Sequence, residues 1–488
     1  MKAVVIGSGI AGIASALRLK SKGYDVTVLE SSHKPGGKIT ELQLGAYRFD
    51  MGPSLFTLPE LIDELYTLFP EHKTQFDYTR LKVICNYFWE DGKKVQADAD
   101  PQQFAKNIEK EFNSSKTEVL DYLEESKKIY ELTTPTFMEK SLHKASTWLS
   151  KDVIKPILSI SKLHLFNTLA DVNQSRFKDP HVQQLFNRYA TYNGSSPFLT
   201  PGVMQVIPHL EFNLGAFLPK NGMSDIIYSL VSLAKEVGIE FRFNEEVKKI
   251  IVCQGTAKGV ELKNEVIKAD VVVSNSDVHN TQNVLLKKEH FRKPSKETAR
   301  SSSAFIFYWG IKGNFEELDI HNILFSKNYK EEFKTIFEEE KLGEDPTIYI
   351  HISSKLNNKD APAGCENWFV MINTPPHNGQ NWGEEKARIK ELVINKIERV
   401  LSKTISDKIE VEQCVSPDDI QKNTGSFRGA LYGTSSNSKF AAFLRHPNFS
   451  NQVKNLYHCG GSVHPGGGIP LCLNSAKIAC SLIPDSNG

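Results

Sequence analysis

Residues 2–30 read KAVVIGSGIAGIASALRLKSKGYDVTVLE, and their order decides the fold. Lys2 to Gly7 has the apolar character of a short buried strand. Ala14, Ala16, Leu17 and Leu19 then mark a helix, and Val26 to Leu29 a second strand. Between the first strand and the helix stands Gly7-Ser8-Gly9-Ile10-Ala11-Gly12. In this G-x-G-x-x-G spacing Gly7 permits the tight turn, Gly9 lets backbone approach a pyrophosphate at the helix N-terminus, and Gly12 lets helix and strand pack closely. Glu30 ends the second strand, where a carboxylate accepts hydrogen bonds from both ribose hydroxyls and repels a 2′-phosphate. Strand, turn, helix and acid in register predict a βαβ dinucleotide-binding unit at the start of the chain.

The composition fits a large folded protein. The 488 residues correspond to about three domains' worth of chain, with 40% hydrophobic residues. Lys and Arg exceed Asp and Glu by 59 to 58, so no global field favours polyanions, and nucleic acid is excluded as an expected partner. The seven cysteines are odd in number, widely spaced and without a C-x-x-C pair, which predicts reduced thiols in a cytosol-facing protein and no metal site. Lys2, the apolar run and Ala14-Ser15-Ala16 mimic a signal peptide, but the glycine spacing serves the dinucleotide turn instead. No stretch approaches the roughly 18 consecutive apolar residues of a membrane span, so any membrane contact is expected to be monotopic.

Further along, a helix near Asp225 to Val237 precedes strands at Ile239 to Phe243, Val247 to Val252 and Val271 to Val273, expected to join the same nucleotide-binding body. Asp91-Gly92, flanked by Tyr87, Phe88, Trp89 and Val95, predicts a hairpin with a type I′ turn. Strands at Ala304 to Ile311, Thr347 to Ile352 and Trp368 to Asn373 predict an antiparallel or mixed sheet flooring a substrate cavity. Ile389, Val393, Ile397 and Val400 predict a helix covering it. Residues 100–210 are helical in tone. Within them Phe137 to Phe166 alternates apolar residues with lysines around Pro156, a pattern of either an interfacial membrane segment or an ordinary lid helix packed on its own domain. Glu338-Glu339-Glu340 reads as a solvated helix face.

Behind Glu30 stands a second glycine pair in His33-Lys34-Pro35-Gly36-Gly37-Lys38, followed by Phe49-Asp50-Met51-Gly52-Pro53. This segment resembles the extended dinucleotide motif of the flavin-containing amine oxidase superfamily, and within it the bacterial-type carotenoid desaturases. Lys38 stands where that family usually carries arginine, keeping the charge but losing the two-oxygen fork. Leu456 to Pro470, with Gly460-Gly461-Ser462-Val463-His464-Pro465-Gly466-Gly467-Gly468, resembles the family's closing turn before a helix over 472–482. Its glycines are similar to those of flavobacterial 1-hydroxycarotenoid 3,4-desaturases. Tyr192 to Pro197, Leu218 to Met223, Asp270 to Asp277 and Ser426 to Gly433 extend the resemblance over nearly the whole chain.

The resemblance implies an α/β protein: a Rossmann-like FAD-binding domain (1–75, 215–290, 420–488), a mixed-sheet substrate domain (76–99, 291–419) and a helical, membrane-associating lid (100–214). It implies non-covalent FAD held by Gly7, Gly9, Ile10, Ala11, Gly12, Glu30, Gly36, Gly37, Lys38, Gly52, Pro53, Ser54, Val247, Gly461, Ser462, Gly468, Ile469 and Pro470, the backbone of Val247 facing the adenine. Substrate-contact candidates are Arg188, Tyr192 and His464, the last equally suited to ordering its turn; no catalytic acid or base is assigned. The implied reaction is desaturation of a 1-hydroxycarotenoid at C3–C4 by hydride transfer to flavin. Oxygen or a quinone would be the electron acceptor, and the location the cytoplasmic face of the cell membrane, bound peripherally to lipid. A multi-step desaturase of acyclic carotenes is the alternative within the class, a flavin-free prenyl-binding chaperone the alternative outside it. An amine or protoporphyrinogen oxidase fits the closing turn less well.

Overall fold

Alternate residues of the first strand, Lys2–Ile6, face two different cores. Ala3 and Val5 pack into a cluster with helix Ile10–Ser21, while Val4 and Ile6 join Leu29, Val247, Ile250 and Val272 on the other face. A strand apolar on both faces belongs inside a covered parallel sheet. The computed structural model describes residues 1–73, 76–149, 153, 158–159, 163–286, 299–438 and 444–486 and bears this out. Five strands run parallel in the order Leu456–His458, Val271–Ser274, Lys2–Ile6, Asp25–Leu29, Glu240–Arg242. Helices Ile10–Ser21, Asp225–Glu236 and Ile469–Ser481 contribute to the core on one face.

The strand expected near Val247 to Val252 joins this body in a second sheet, packed on Val4, Ile6 and Val272. Lys249–Cys253 pairs antiparallel with Thr256–Glu261, which pairs with Val266–Lys268, making a separate three-stranded sheet over the second face. The cause is local: Gln254 and Gly255, with φ of 49° and 72°, close a two-residue hairpin that claims the strand's hydrogen bonds. The expected type I′ turn at Asp91-Gly92 is corrected. Trp89 N–H donates to Lys93 O across three loop residues, Gly92 N–H donates to Trp89 O, and of these loop residues only Gly92 has positive φ (89°). That is a type I turn with a glycine bulge.

The mixed sheet has seven strands in the order Ile409–Val415, Ser303–Lys312, Cys365–Thr374, Ile348–His351, His321–Leu324, Val83–Phe88, Lys94–Asp98. All neighbours are antiparallel except His321–Leu324 with Val83–Phe88. Helix Trp382–Leu401 lays Ile389, Val393 and Ile397 on Phe305, Phe307, Trp309 and Trp368, as the spacing predicted.

The helical region opens with capped helices. Asp100 caps Pro101–Glu111, and Ser115 with Glu118 forms a capping box on Lys116–Thr133. Its core is aromatic, with Phe104 stacked on Phe212 at 4.5 Å and Tyr122 against Phe186 at 4.4 Å. The basic amphipathic stretch is divided: Leu142, Val153 and Leu163 are buried, whereas Leu149 (86%), Leu158 (80%) and Phe166 (75%) stand in solvent. Lys151, Ile154, Pro156, Ile157 and Ile160 lie outside the described residues. Among the described residues no helix is long and apolar enough to cross a membrane.

Candidate active site

The parallel strands deliver their carboxyl ends to one edge of the sheet, where the loops that follow them form a cleft of nearly bare backbone. Gly7, with φ 91°, donates its N–H to Leu29 O (2.8 Å). Gly12 packs so tightly on this turn that a Cβ there would stand 2.1 Å from Gly7 O. Gly36 N–H donates to Ser8 O (2.9 Å), laying the second glycine pair on the first, and Gly37 stands 3.5 Å from Gly9 Cα when measured from its missing Cβ. Gly52 ends the strand Tyr47–Met51 against Lys38 O, and Pro53 leads to Ser54, whose hydroxyl lies 2.6 Å from Tyr349 Oη. On the far side, Cys459 N–H donates to Ser274 O (3.0 Å) and starts the turn 459–468, while Ser462 Oγ accepts from Val278 N–H (3.0 Å).

Two helix N-termini belong to this cleft. Ile10–Ser21 and Ile469–Ser481 are capped by Gly9 and Gly468, have no side-chain cap and carry no acid in the first turn, so their leading amides are unopposed donors. Where a Cβ of Gly468 would stand there is open space. Glu30 is held at the other end: one carboxylate oxygen accepts from Ser8 N–H and Oγ (both 2.8 Å), the other from Ser32 N–H (2.9 Å). Glu245 N–H donates to Glu30 O (2.9 Å), and Val247, two residues on, is buried beside that corner. Helix ends without side-chain caps, bare glycine backbone crowded at Gly12, Gly36 and Gly52 and open at Gly468, and a carboxylate beyond them fit the phosphates, backbone-lined span and ribose of FAD.

Five further residues complete the wall. Asn275 Nδ2 donates to Cys459 O (3.2 Å), and its Oδ1 would lie 2.8 Å from a Cβ on Gly9, so it links the first glycine turn to the last. Arg300 pairs with Asp277 (3.4 Å), Tyr432 packs on Gly467, and Arg445 is buried beneath the closing turn. Asn275 and Asp277 were within reach of sequence reading, since polar turn residues follow the strand Val271–Ser274. Arg445 carries no such signal. Lys38 does not extend freely into the cleft: its Nζ donates to Ala430 O (3.1 Å) and Leu431 O (2.6 Å), and burial lowers its pKa. Burial also pushes Cys472 and Cys480 up to about 11, so these thiols stay protonated.

The substrate-contact candidates separate. Arg188 and Tyr192 share the turn Arg188–Asn193 and belong to a second, side-chain-built feature. Arg188 Nε donates to Tyr87 Oη (2.8 Å), its Nη2 pairs with Glu211 (3.3 Å), Tyr189 Oη donates to Glu211 (2.7 Å), and the rings of Tyr189 and Tyr192 flank the guanidinium carbon at 4.5 and 5.4 Å. Burial opposes the Arg188 charge, but Tyr87 and Glu211 outweigh it. Burial raises the Glu211 carboxyl against the pull of Arg188 and Tyr189. Nearby on the sheet, His321 Nδ1 lies 2.8 Å from Tyr349 Oη and its ring stacks on His351 at 4.9 Å. Burial keeps both neutral, lowering His351 to about 4. His464 is elsewhere: its ring meets Lys140 O (2.9 Å) and His143, and its backbone bonds Asn448 and His446, contacts that order the turn.

Comparisons with known proteins agree with this cleft. The sequence profile of flavin containing amine oxidoreductases matches residues 10–484. A 1-hydroxycarotenoid 3,4-desaturase of Flavobacterium sp. (strain P99-3) is 54% identical over 486 residues, 100% of this chain and 99% of that one. A 4,4′-diapolycopene oxygenase of Methylomonas sp. is 28% identical, covering 98% and 97%. Putrescine oxidase bound to putrescine superposes with a TM-score of 0.63 at 11% identity, covering 99% of each chain. An oxidoreductase of Methanosarcina mazei does so with a TM-score of 0.62 at 16% identity, also covering 99% of each. With its glycine cleft, its parallel sheet and a profile match spanning almost its full length, this FAD-dependent oxidoreductase belongs to the flavin-containing amine oxidoreductase family.

Proposed function

We propose that the chain introduces a C3–C4 double bond into a 1-hydroxycarotenoid, with 1′-hydroxy-γ-carotene as the representative substrate. The observation that carries this is the 54% identity, over 100% of this chain and 99% of the relative, to a protein of that named activity. FAD, when bound, supplies a two-electron hydride acceptor. Glu30 would hold its ribose, the amides of Ile10, Ala11 and Gly12 its pyrophosphate, and the backbone of Gly36, Gly37, Gly461, Ser462, Gly468, Ile469 and Pro470 the flavin-bearing half. Lys38, Gly52, Pro53, Ser54 and Val247 would close the walls.

The protein's own part is to bury the polyene and orient it. The aromatic-rich sheet and helical region exclude water, and Arg188 and Tyr192 offer a polar end for the substrate hydroxyl. A cation formed by hydride loss spreads along the polyene, so the neighbouring carbon needs no strong base to release its proton. The neutral imidazoles His321 and His351 are consistent with that. We assign residues 1–75, 215–290 and 420–488 to cofactor binding, 76–99 and 291–419 to the substrate floor, and 100–214 to a lid. Exposed Trp148, Leu149, Leu158 and Phe166 support a lid that meets a lipid surface, from which an oily substrate would enter at the cytoplasmic face. Oxygen or a quinone would reoxidise the flavin.

The test is anaerobic mixing of FAD-loaded protein with 1′-hydroxy-γ-carotene in liposomes, following flavin bleaching and chromatographing the pigment. Bleaching with one added conjugated double bond at C3–C4 is the expected result. Bleaching only with acyclic carotenes would replace this reading by the multi-step desaturase, and failure to retain FAD would remove the enzyme reading altogether. Leu149→Asp with Leu158→Asp should abolish flotation with the liposomes while leaving bound FAD in place.

A further inference from the structure

Three consecutive carbonyls of the segment 430–432 are taken by cations. Ala430 O and Leu431 O accept from Lys38, and Tyr432 O accepts from Arg445 Nη1 at 2.9 Å. Arg445 is 3% exposed; its Nη2 donates to Ser436 Oγ (3.1 Å), and a longer contact reaches Gly461 O (3.5 Å). Its Nε has no partner among the described residues, and none of their carboxylates pairs with it. The one charge partner that raises the Arg445 pKa is the Cys472 thiol, which burial keeps protonated and so uncharged. A guanidinium shut away from water without an anion is strongly disfavoured, so its retention calls for a negative partner.

The place of Arg445 says where that partner stands. Its Nε would lie 3.1 Å from a Cβ on Gly466, so the guanidinium packs against bare backbone of the closing turn. The same turn runs into the acid-free N-terminus of Ile469–Ser481, beside the open space at Gly468. A helix dipole and a dry guanidinium thus raise the potential at one end of the cleft, apart from the N-terminus of Ile10–Ser21. We infer that Arg445 is the counter-charge of the reduced, anionic flavin ring, and so sets the redox potential of the cofactor. The inference rests on the FAD reading above. Reduction breaks a substrate C–H bond and moves its electron pair with the hydrogen to flavin N5, leaving one negative charge on the ring. The second hydrogen leaves the adjacent carbon as a proton to water. The pyrophosphate is charged in both redox states, whereas the ring becomes charged only on reduction, so the two candidate partners are separable.

The experiment compares wild type, Arg445→Met and Arg445→Lys. It measures the dissociation constant of oxidised FAD and the two-electron midpoint potential by dye equilibration. In Arg445→Met the ratio of reduced to oxidised affinity should fall at least tenfold, a potential lower by about 30 mV, with Arg445→Lys within threefold of wild type. Equal weakening of both redox states with an unchanged potential, or no change in either, would overturn the inference. FAD retention by the wild type tests the underlying reading separately. Should Arg445→Met fail to fold, Arg445→Gln takes its place in both measurements. In the wild type the reduced flavin should take up the ring proton at least one pH unit below free reduced FAD in the same buffer, and an unshifted transition would refute the assignment.

Discussion

The glycine cleft and the Arg188–Glu211 knot are built on opposite plans. In the cleft the working atoms are backbone amides, and the sequence contributes chiefly by omitting side chains: Gly7, Gly9 and Gly12 lie within six residues, and Gly466 to Gly468 are consecutive. In the knot the working atoms are side-chain termini, and Arg188 comes 101 residues after its partner Tyr87 and 23 before Glu211. A cleft of bare backbone depends on close approach, and at Gly12, Gly36 and Gly52 it has no room for an added Cβ. A knot of paired charges depends on every member being present.

Acid should strain both plans most. His321 and His351 near the knot, and His446 and His458 behind the closing turn, are all held below their ordinary range by burial, His351 and His446 to about 4. The unfolded chain therefore binds more protons between about pH 6.5 and 4, and stability present above 6.5 is lost as pH falls, by on the order of 2 kcal/mol per histidine by pH 5. Thermal unfolding of the apoprotein from pH 7.5 to 5 measures this; a flat midpoint would contradict it.

Glu211→Leu should cost about 3–5 kcal/mol by leaving Arg188 buried and unpaired, and adding Arg188→Met should restore much of the loss. Denaturant midpoints of the two single variants and the double variant test whether the pair acts as a unit. Independent, additive losses would mean that the knot is not one.

Two glycine substitutions sharpen the contrast from the side of the cleft. Gly12→Ala forces a Cβ to 2.1 Å from Gly7 O and should cost about 1–3 kcal/mol while emptying the protein of flavin, seen in the visible absorbance per protein after purification. Gly92→Ala, at φ 89° with nothing within 4 Å, should cost only about 1–2 kcal/mol and leave flavin content unchanged. If the two variants retained flavin equally, close approach would not be what the cleft requires.

The difference between the two plans also explains what could be read beforehand. The βαβ unit, the helix over the seven-stranded sheet and the closing turn are written in short stretches, because strand alternation, helical spacing and glycine turns act over a few residues. Pairing partners are less local. The hairpin at Gln254-Gly255 puts Lys249–Cys253 in a separate sheet of the nucleotide-binding body, and the Asp91-Gly92 loop, in place of the expected type I′ turn, keeps only Gly92 in the left-handed region. Arg445 sits in Leu444-Arg445-His446, which reads as ordinary charged loop, and Glu211 stands in an unremarked helical stretch.

The sequence by itself determined a βαβ dinucleotide-binding unit in a parallel sheet, because the glycines and Glu30 encode its turn and its second strand end within the first 30 residues. Only the tertiary structure decided which charges are buried, which are paired and which, like Arg445 beneath the closing turn, have no counterion among the described residues. Burial and pairing belong to the contacts among distant segments, and a side chain's electrostatic role is fixed only once those segments have excluded water around it.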